Sequence, residues 1–238
     1  PKLLSNKVNF EVMGSNVWRH VGSLEEMNSY TVRYYLSNVK NKGNVNLLSL
    51  APVKKDTIIS QTIDLKDRSD GQTLVDNAIF MFQDTVLWQS GMMQFESETF
   101  AKSFTLNGSF CGKLKGTINK NDFDPMMYLY EKKSDGTYVY LSSFMCRASM
   151  NSNRTQRNLL TPGKKFEIDI NNSFMMSRKI EQGSKLVFLL GIAKSPIWEI
   201  NYGTGGDVSR ESIIDASEPL QINWSNESWV GVPRGMKE

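Results

Sequence analysis

Short runs in which apolar and polar residues alternate recur along most of the chain, and turn residues separate them. Such alternation is typical of strands with one buried face, whereas amphipathic helices repeat their apolar residues every three or four positions. Clear examples are KSFTLNGSFCGKLKGTIN, MMYLYEKKSDGTYVYLSS, KKFEIDIN and GSKLVFLLGIAK. Turn signals of the types Asn-Gly, Ser-Asp-Gly and Thr-Pro-Gly lie within or between these runs. Helical periodicity is hard to find, so the sequence predicts an all-β protein.

The spacing of the predicted strands favours a two-layer arrangement. Many short strands, joined partly by long irregular connections, predict a jelly-roll β-sandwich of two mainly antiparallel sheets rather than a barrel of even hairpins. No internal repeat is visible, and no linker divides the chain cleanly. A chain of 238 residues is long enough to bury a core without disulfide or metal support.

Charge and composition argue against several classes of partner. The chain has 28 basic and 25 acidic residues, scattered without a basic face, so we expect no nucleic-acid partner. No apolar run reaches the roughly 18 residues that span a bilayer, and PKLLSNKVNF lacks the apolar core of a signal peptide. We therefore expect no membrane partner and a cytoplasmic location. Two cysteines and one histidine cannot supply a four-ligand zinc site, and we expect no metal.

The motifs of common catalytic sites are absent. No Gly-x-Ser-x-Gly occurs, since GSFCG places its serine one position too early. Any catalytic triad would have to use His20, the single histidine, and no nucleophile stands at a recognisable motif. The stretch INYGTGGDVSRES resembles a phosphate-binding loop, but Asp207 and Val208 stand where such loops need lysine or glycine. We expect no catalytic residue and interpret this stretch as an irregular connection between two late strands.

Two further patterns have more than one interpretation. NKNDFDP contains Asp122 and Asp124 and could bind calcium, but the glycine and glutamate of an EF-hand loop are absent. A loop that leads into a strand, with carboxylates bound to its own amides, is the favoured alternative. The five tryptophans and the tyrosines of one hairpin could form a sugar-stacking platform, although such rings more often fill a core or an interface.

Seven segments, taken in order, resemble one protein family. They are FEVMGSNVWRHVGSL, RYYLS, LWQSGMMQFESETFAKSFTLNGSFCGKL, NKNDFDPMMYLYEKKSDGTYVYLSSFMCRAS, LTPGKKFEIDI with IEQGSKLVFLLGIAKSPIW, INYGTGG and NESWVGVP. The series, over roughly residues 9 to 233, is similar to the C-terminal region of the cocaine esterase and X-Pro dipeptidyl peptidase (CocE/NonD) group of bacterial serine hydrolases. No single segment is specific, but their order is.

The resemblance implies a galactose-binding-like jelly roll that follows an α/β-hydrolase domain. In that family the catalytic triad lies in the preceding domain, so this chain alone is not expected to be an enzyme. Its parent would be an acyl esterase or X-Pro dipeptidyl peptidase, with a small ester or peptide as substrate and no cofactor. Residues 1–30 would be the junction leaving the hydrolase domain, and residues 31–238 the jelly roll that packs on it. The surface left open could also form a homodimer.

The resemblance also suggests roles for particular residues. A wall of the substrate pocket would include Phe80, Met81 and Phe82, although the family's GP-x-DQ segment is missing here and a buried strand is the alternative. The interface with the hydrolase domain would include Met13, Trp18 and Trp88. Structural roles would fall to Asp122, Asp124, Arg147, Asn201, Thr204 and Gly205. Asp124 would organise the start of a strand, and Arg147 would pair with a carboxylate or with carbonyls.

A different class of function remains open from the sequence. The chain could be a free-standing jelly-roll module that binds a carbohydrate or a protein. A row of exposed tryptophan rings would favour that alternative, whereas a tryptophan within one apolar patch would favour docking on a neighbouring domain.

Overall fold

The structure is a computed structural model that describes residues 4–52, 58–68, 83–87, 91–194 and 199–235. Strands make up most of the regular structure in these residues. They are β1 Val8–Val12, β2 Val17–Val21, β3 Tyr30–Lys40, β4 Asn46–Ser49, β5 Ile58–Ile63, β6 Gln83–Asp84, β7 Met93–Glu96, β8 Phe104–Gly108, β9 Cys111–Ile118, β10 Pro125–Lys132, β11 Tyr138–Met145, β12 Lys165–Ile170, β13 Met176–Ile180, β14 Lys185–Ile192, β15 Leu220–Ser225 and β16 Trp229–Arg234.

Helical structure in these residues is limited to four single 3₁₀ turns, Glu25–Met27, Ala148–Met150, Val208–Arg210 and Ile213–Asp215. The all-β prediction is therefore confirmed. In the part of the chain that the structure describes, no helix has the length and apolar character needed to cross a membrane.

Strand pairing forms one long path that folds into two layers. Its order is β5-β15-β9-β16-β3-β4-β7-β14-β10-β11-β6, and β12 pairs with the other edge of β9. All pairs are antiparallel except β4 with β7. The predicted sandwich of mainly antiparallel strands is confirmed, and its strands follow one continuous pairing order. The register shifts between Leu36 and Lys40, and such an irregularity lets one long strand bend away from its sheet.

Two short pairs complete the architecture. Strands β8 and β13 form a two-stranded sheet, and β1 and β2 form an N-terminal hairpin. The hairpin is separate from the long path of strands, and a single bridge between Met13 and Arg178 links it to β13.

Alternation within the strands places one apolar face of each in a shared core. In β12, Phe166, Ile168 and Ile170 are buried, while the intervening residues are exposed. The Phe166 ring packs edge-on against Trp224, with 5.9 Å between ring centroids. Trp224 is fully buried, and its Nε1 donates to Gln61 Oε1 at 3.0 Å. Burial of such large rings is the main stabilising contribution of this core.

Close strand contact explains one glycine of β9 and leads to a prediction. A Cβ on Gly116 would lie 2.5 Å from the carbonyl oxygen of Asn223, which is backbone and cannot swing away. We expect Gly116→Ala to lower the free energy of unfolding by about 1–3 kcal/mol, as overpacking does. Thr117→Ala, in the neighbouring position that points away from the core, is the control. Urea denaturation measures both, and equal losses would contradict this explanation.

Candidate functional site

The turn of the N-terminal hairpin accounts for part of the VMGSNVW motif. Gly14 and Asn16 have φ values of 79° and 54°, in the left-handed region that glycine and asparagine tolerate best. Both the amide and the hydroxyl of Ser15 donate to the Val12 carbonyl, at 3.1 and 2.9 Å. Gly14, Ser15 and Asn16 therefore have a clear role in the conformation of the turn.

The inner face of the hairpin packs on the sandwich incompletely. Val12 and Val21 point to this face and are almost fully buried. A cavity of about 20 Å³ remains beside them, lined by Phe10, Arg19, Val21, Glu26, Met27, Thr105 and Asn107. This volume is enough for about one water molecule. Val17, which pairs with Val12 on this face, is 43% exposed, so the sandwich covers the inner face of the hairpin only in part.

The outer face of the hairpin is open. Trp18 stands opposite Glu11 in the pairing, and His20 stands opposite Asn9. Trp18 is 56% exposed, and Met13, beside the turn, is 51% exposed. These two residues form what we call the hairpin surface. Tryptophan is enriched among the residues that dominate the energy of protein–protein interfaces, so this exposed ring is a candidate contact site for another protein surface.

His20 has a local partner on the same face. Its Nδ1 lies 2.6 Å from Oδ1 of Asn9, on the neighbouring strand. Among the described residues this is the side-chain hydrogen bond of His20, and its partner Asn9 is not a nucleophile. The geometry gives no support to a triad built on this residue.

A second group of polar residues lies where β10 begins. We call Asp122, Asp124, Arg147 and Arg157 the arginine–carboxylate cluster. The Asp122 carboxylate is fully buried and accepts bonds from the Ser149 amide at 2.9 Å, the Ser149 hydroxyl at 2.7 Å and Arg157 Nη2 at 3.0 Å. Its Oδ1 also accepts a hydrogen bond from the Phe123 amide at 3.0 Å. All of its hydrogen-bonding capacity is used inside the protein.

Asp124 is bound in a similar way. Arg147 donates to both of its oxygens, at 3.3 and 3.2 Å, and Asn201 Nδ2 donates at 2.8 Å. Burial raises the pKa of the Asp124 carboxyl, and the bonds from Arg147 and Asn201 oppose that rise without cancelling it. The sequence-predicted residues Asp122, Asp124, Arg147 and Asn201 therefore lie together and join three loops.

The cluster has no geometry suited to a metal ion. Its carboxylates are already paired with guanidinium groups, which would repel a cation. Among the residues that the structure describes, no group of three or more His, Cys, Asp and Glu side chains could hold a metal. The arrangement thus favours the loop interpretation of NKNDFDP over a calcium site.

The glycine-rich stretch lies against the same cluster, between β14 and β15. Gly203 has φ of 80°, and a Cβ there would come within 2.8 Å of the Asp122 carbonyl oxygen. Gly205 has a φ of 88°. The carbonyl of the preceding residue, Thr204, accepts a hydrogen bond from Asn121 Nδ2 at 2.9 Å. These glycines permit a close approach of two backbones rather than the approach of a ligand.

The amides of this stretch explain why it is not a phosphate loop. A phosphate cradle needs several backbone amides that are free to donate. Here the amides of the loop already donate to its own side chains, at 2.7–3.2 Å. The donors are Tyr202, Gly203, Thr204 and Gly206, and the acceptors are the side chains of Asn201, Thr204 and Glu211.

Sequence reasoning missed several residues of the cluster. Arg157 and Ser149 donate hydrogen bonds to Asp122. The Glu211 carboxylate accepts hydrogen bonds from the amides of Tyr202 and Thr204. Arg157 is 35 positions from Asp122 in sequence, and no local pattern signals a pairing over that distance. Phe80, Met81, Phe82 and Trp88 lie outside the described residues, so their predicted roles stay predictions.

The described aromatic residues do not form a row of exposed rings. Tyr128, Tyr130 and Tyr140 contact one another edge-on or at a tilt, with centroids 5.8–6.4 Å apart. Trp224 is buried, and the Arg33 guanidinium covers Trp229 at 3.9 Å. Among the tryptophans in the described ranges, Trp18 alone has a mostly exposed side chain. A sugar-stacking platform is therefore not favoured.

Comparison with known protein families agrees with the resemblance found in the sequence. Residues 4–191 match the family described as X-Pro dipeptidyl-peptidase C-terminal non-catalytic domain. No curated protein matches the sequence.

Solved structures share the fold at low sequence identity. An aminopeptidase from the marine sediment archaeon Thaumarchaeota archaeon is similar with a TM-score of 0.78 and 14% identity, over 99% of this chain and 41% of that chain. An α-amino acid ester hydrolase is similar with a TM-score of 0.74 and 14% identity, over 95% and 41%. A CocE/NonD family hydrolase from Staphylococcus aureus gives 0.61 and 13%, over 95% and 40%. The chain spans about two-fifths of the length of these proteins.

Proposed function

Because the chain belongs to the family of X-Pro dipeptidyl-peptidase C-terminal non-catalytic domains, we propose that it is the accessory β-sandwich of a larger serine hydrolase. In this proposal it packs on an upstream α/β-hydrolase domain, stabilises that domain and helps to wall its substrate pocket. The greater length of the similar solved structures supports the presence of a further domain in the parent protein.

The observation that carries the proposal is the exposure of the hairpin surface. The backbone of the turn explains Gly14 and Asn16, but nothing in the described fold explains why Trp18 is held open to water. A large ring with a polar edge gains most when it is buried in a protein interface. We therefore assign the hairpin surface to the contact with the hydrolase domain, and residues 1–30 to the junction between the two domains.

The substrate is proposed at the level of chemical class. The similar structures include an aminopeptidase and an ester hydrolase, which both cleave an acyl bond. We propose an acyl ester or an X-Pro peptide as the substrate of the parent enzyme, with catalysis by its upstream domain. The role of Phe80, Met81 and Phe82 in the pocket wall belongs to the same proposal.

A cytoplasmic location is also part of the proposal. Cys111 and Cys146 are both free thiols, as is usual in a reducing compartment. Burial raises the pKa of the Cys146 thiol to about 12, so this cysteine would be protonated and unreactive at neutral pH. Fractionation of cells that make the native protein would test the location.

The activity of the isolated chain tests the proposal directly. We expect the pure chain to hydrolyse neither p-nitrophenyl butyrate nor an X-Pro anilide above the buffer rate. His20→Ala is the matched control, because it removes the single histidine on which a conventional triad would depend. Turnover that is present in the pure chain and lost in this variant would mean that the chain is itself an enzyme.

A further inference from the structure

The N-terminal hairpin is tied to the sandwich at one backbone position. The amide of Met13 donates to the Ser177 carbonyl at 3.1 Å, and the amide of Lys179 donates to the Met13 carbonyl at 2.9 Å. These two bonds flank Arg178, which is the bridge partner of Met13. The orientation of the hairpin therefore depends on how firmly this part of β13 is held.

The side chain of Arg178 is anchored inside the sandwich. Its Nε donates to Glu131 Oε2 at 2.7 Å, and Glu131 on β10 is completely buried. The other oxygen of Glu131 accepts the Ser184 hydroxyl at 2.8 Å and the Glu181 amide at 3.1 Å. Since these two further donors hold the carboxylate, it is a fixed acceptor for the Arg178 guanidinium.

The other end of the same guanidinium reaches the hairpin turn. A Cβ placed on Gly14 would lie 3.7 Å from Nη1 of Arg178, so the turn rests directly beside the arginine. One planar side chain thus connects the interior of β10 with the hairpin turn. Lysine, with a single ammonium group, cannot occupy both places at once.

We infer that Arg178 is a positioning residue, which, through Glu131, fixes the angle at which the hairpin projects from the sandwich. A two-stranded hairpin is marginally stable alone, and the sandwich covers its inner face only in part, since Val17 on that face is exposed. The consequence for docking rests on the proposed function: the hairpin surface would be presented to the hydrolase domain already ordered, which lowers the entropic cost of binding.

Hydrogen exchange of the chain in solution tests this inference. In Arg178→Lys, which keeps the charge, we expect amides of residues 8–21 and of Lys179 to exchange at least about tenfold faster. Exchange within β9, which pairs with neither β10 nor β13, should accelerate less, since core strands open only with global unfolding and report the loss of global stability alone. Glu131→Gln should likewise accelerate the hairpin more than β9 and serves as a second variant.

The control is Glu96→Gln, which weakens a different buried acid in the same sandwich. Glu96 accepts bonds from Lys132 and Lys185, both at 3.0 Å, and neither contacts the hairpin. We expect this variant to leave the exchange of residues 8–21 unchanged relative to β9. If Arg178→Lys and Glu131→Gln accelerate β9 and the hairpin equally, or leave both unchanged, the positioning role is wrong.

The exchange experiment needs no partner domain, so it separates the two hypotheses. A selectively loosened hairpin in a chain that binds no hydrolase domain would uphold the role of Arg178 and reject the proposed docking. Unchanged hairpin exchange in Arg178→Lys, together with a hydrolase domain that binds this variant as tightly as the wild-type chain, would reject the role of Arg178 and uphold the proposed docking.

Discussion

Replacing Trp18 with alanine is expected to weaken binding of the chain to its upstream hydrolase domain by at least about thirtyfold, or about 2 kcal/mol. The physical reason is the loss of a large ring that is 56% exposed in the chain alone and buried in the proposed interface. Isothermal titration of the separately produced domains measures the effect. Because the ring is open to water before binding, thermal stability of the chain alone should change little.

The matched control is an exposed apolar residue on a different element. Ile214 is 85% exposed in the 3₁₀ turn Ile213–Asp215, and Ile214→Ala should leave the affinity within about twofold of wild type, as most truncations outside a hot spot do. Equal losses in the two variants, or an unaffected affinity in Trp18→Ala, would exclude the hairpin surface as the docking site.

Replacing Asp122 with alanine is expected to cause the largest loss of stability, about 3 kcal/mol in the free energy of unfolding, at the lower end for a broken buried ion pair. The variant leaves the Ser149 amide and Nη2 of Arg157 without their acceptor, while Nε and Nη1 of Arg157 keep theirs on Ser149 and Gly206. The value is at the lower end because the Arg157 side chain is 29% exposed and can be partly hydrated. For a chain of this size the melting temperature should fall by about 6–12 °C.

An exposed ion pair supplies the comparison for this variant. Glu167 is paired with Lys113 and Lys115, at 2.8 and 3.1 Å, on the outer face of β12 and β9. Glu167→Ala should leave the melting temperature nearly unchanged, because water and salt screen such pairs. If calorimetry finds the same loss in Asp122→Ala and Glu167→Ala, the arginine–carboxylate cluster has no special role in stability.

Local pattern predicted the strands because burial in this fold follows short-range alternation. In β15, Leu220, Ile222 and Trp224 share one face and are all buried, as period-two alternation requires. The pairing of β3 with β4 could not be predicted, since it includes a register shift between Leu36 and Lys40. Such a shift leaves no signature in the sequence of either strand.

The same reasoning separates the two tryptophans Trp224 and Trp18. Trp224 shares its strand face with leucine and isoleucine, whereas Trp18 shares its face with His20 and faces Glu11 across the hairpin. The polar neighbours of Trp18 are therefore a local signal of its exposure. The local pattern does not indicate which surface covers Trp18 in the parent protein. The prediction of an interface there came from the family resemblance.

The cluster around Asp122 shows the limit of sequence reasoning more clearly. Asp122, Asp124 and Arg147 could be singled out from the sequence, but the pairing of Arg147 with Asp124 and the contribution of Arg157 depend on loops that meet only in the fold. Likewise, the glycine-rich stretch could be rejected as a phosphate loop from its missing motif residues. The physical reason, that its amides already donate to Asn201, Thr204 and Glu211, required the structure.

The most direct test of the central claim is the coding sequence upstream of Pro1, together with the mass of the native protein. We predict a parent in which this chain is about two-fifths of the length, as in the similar solved structures. Its preceding domain should carry Gly-x-Ser-x-Gly, an aspartate and a histidine in that order. A native protein that begins near Pro1 and has no hydrolase domain would contradict the assignment of this chain as an accessory domain.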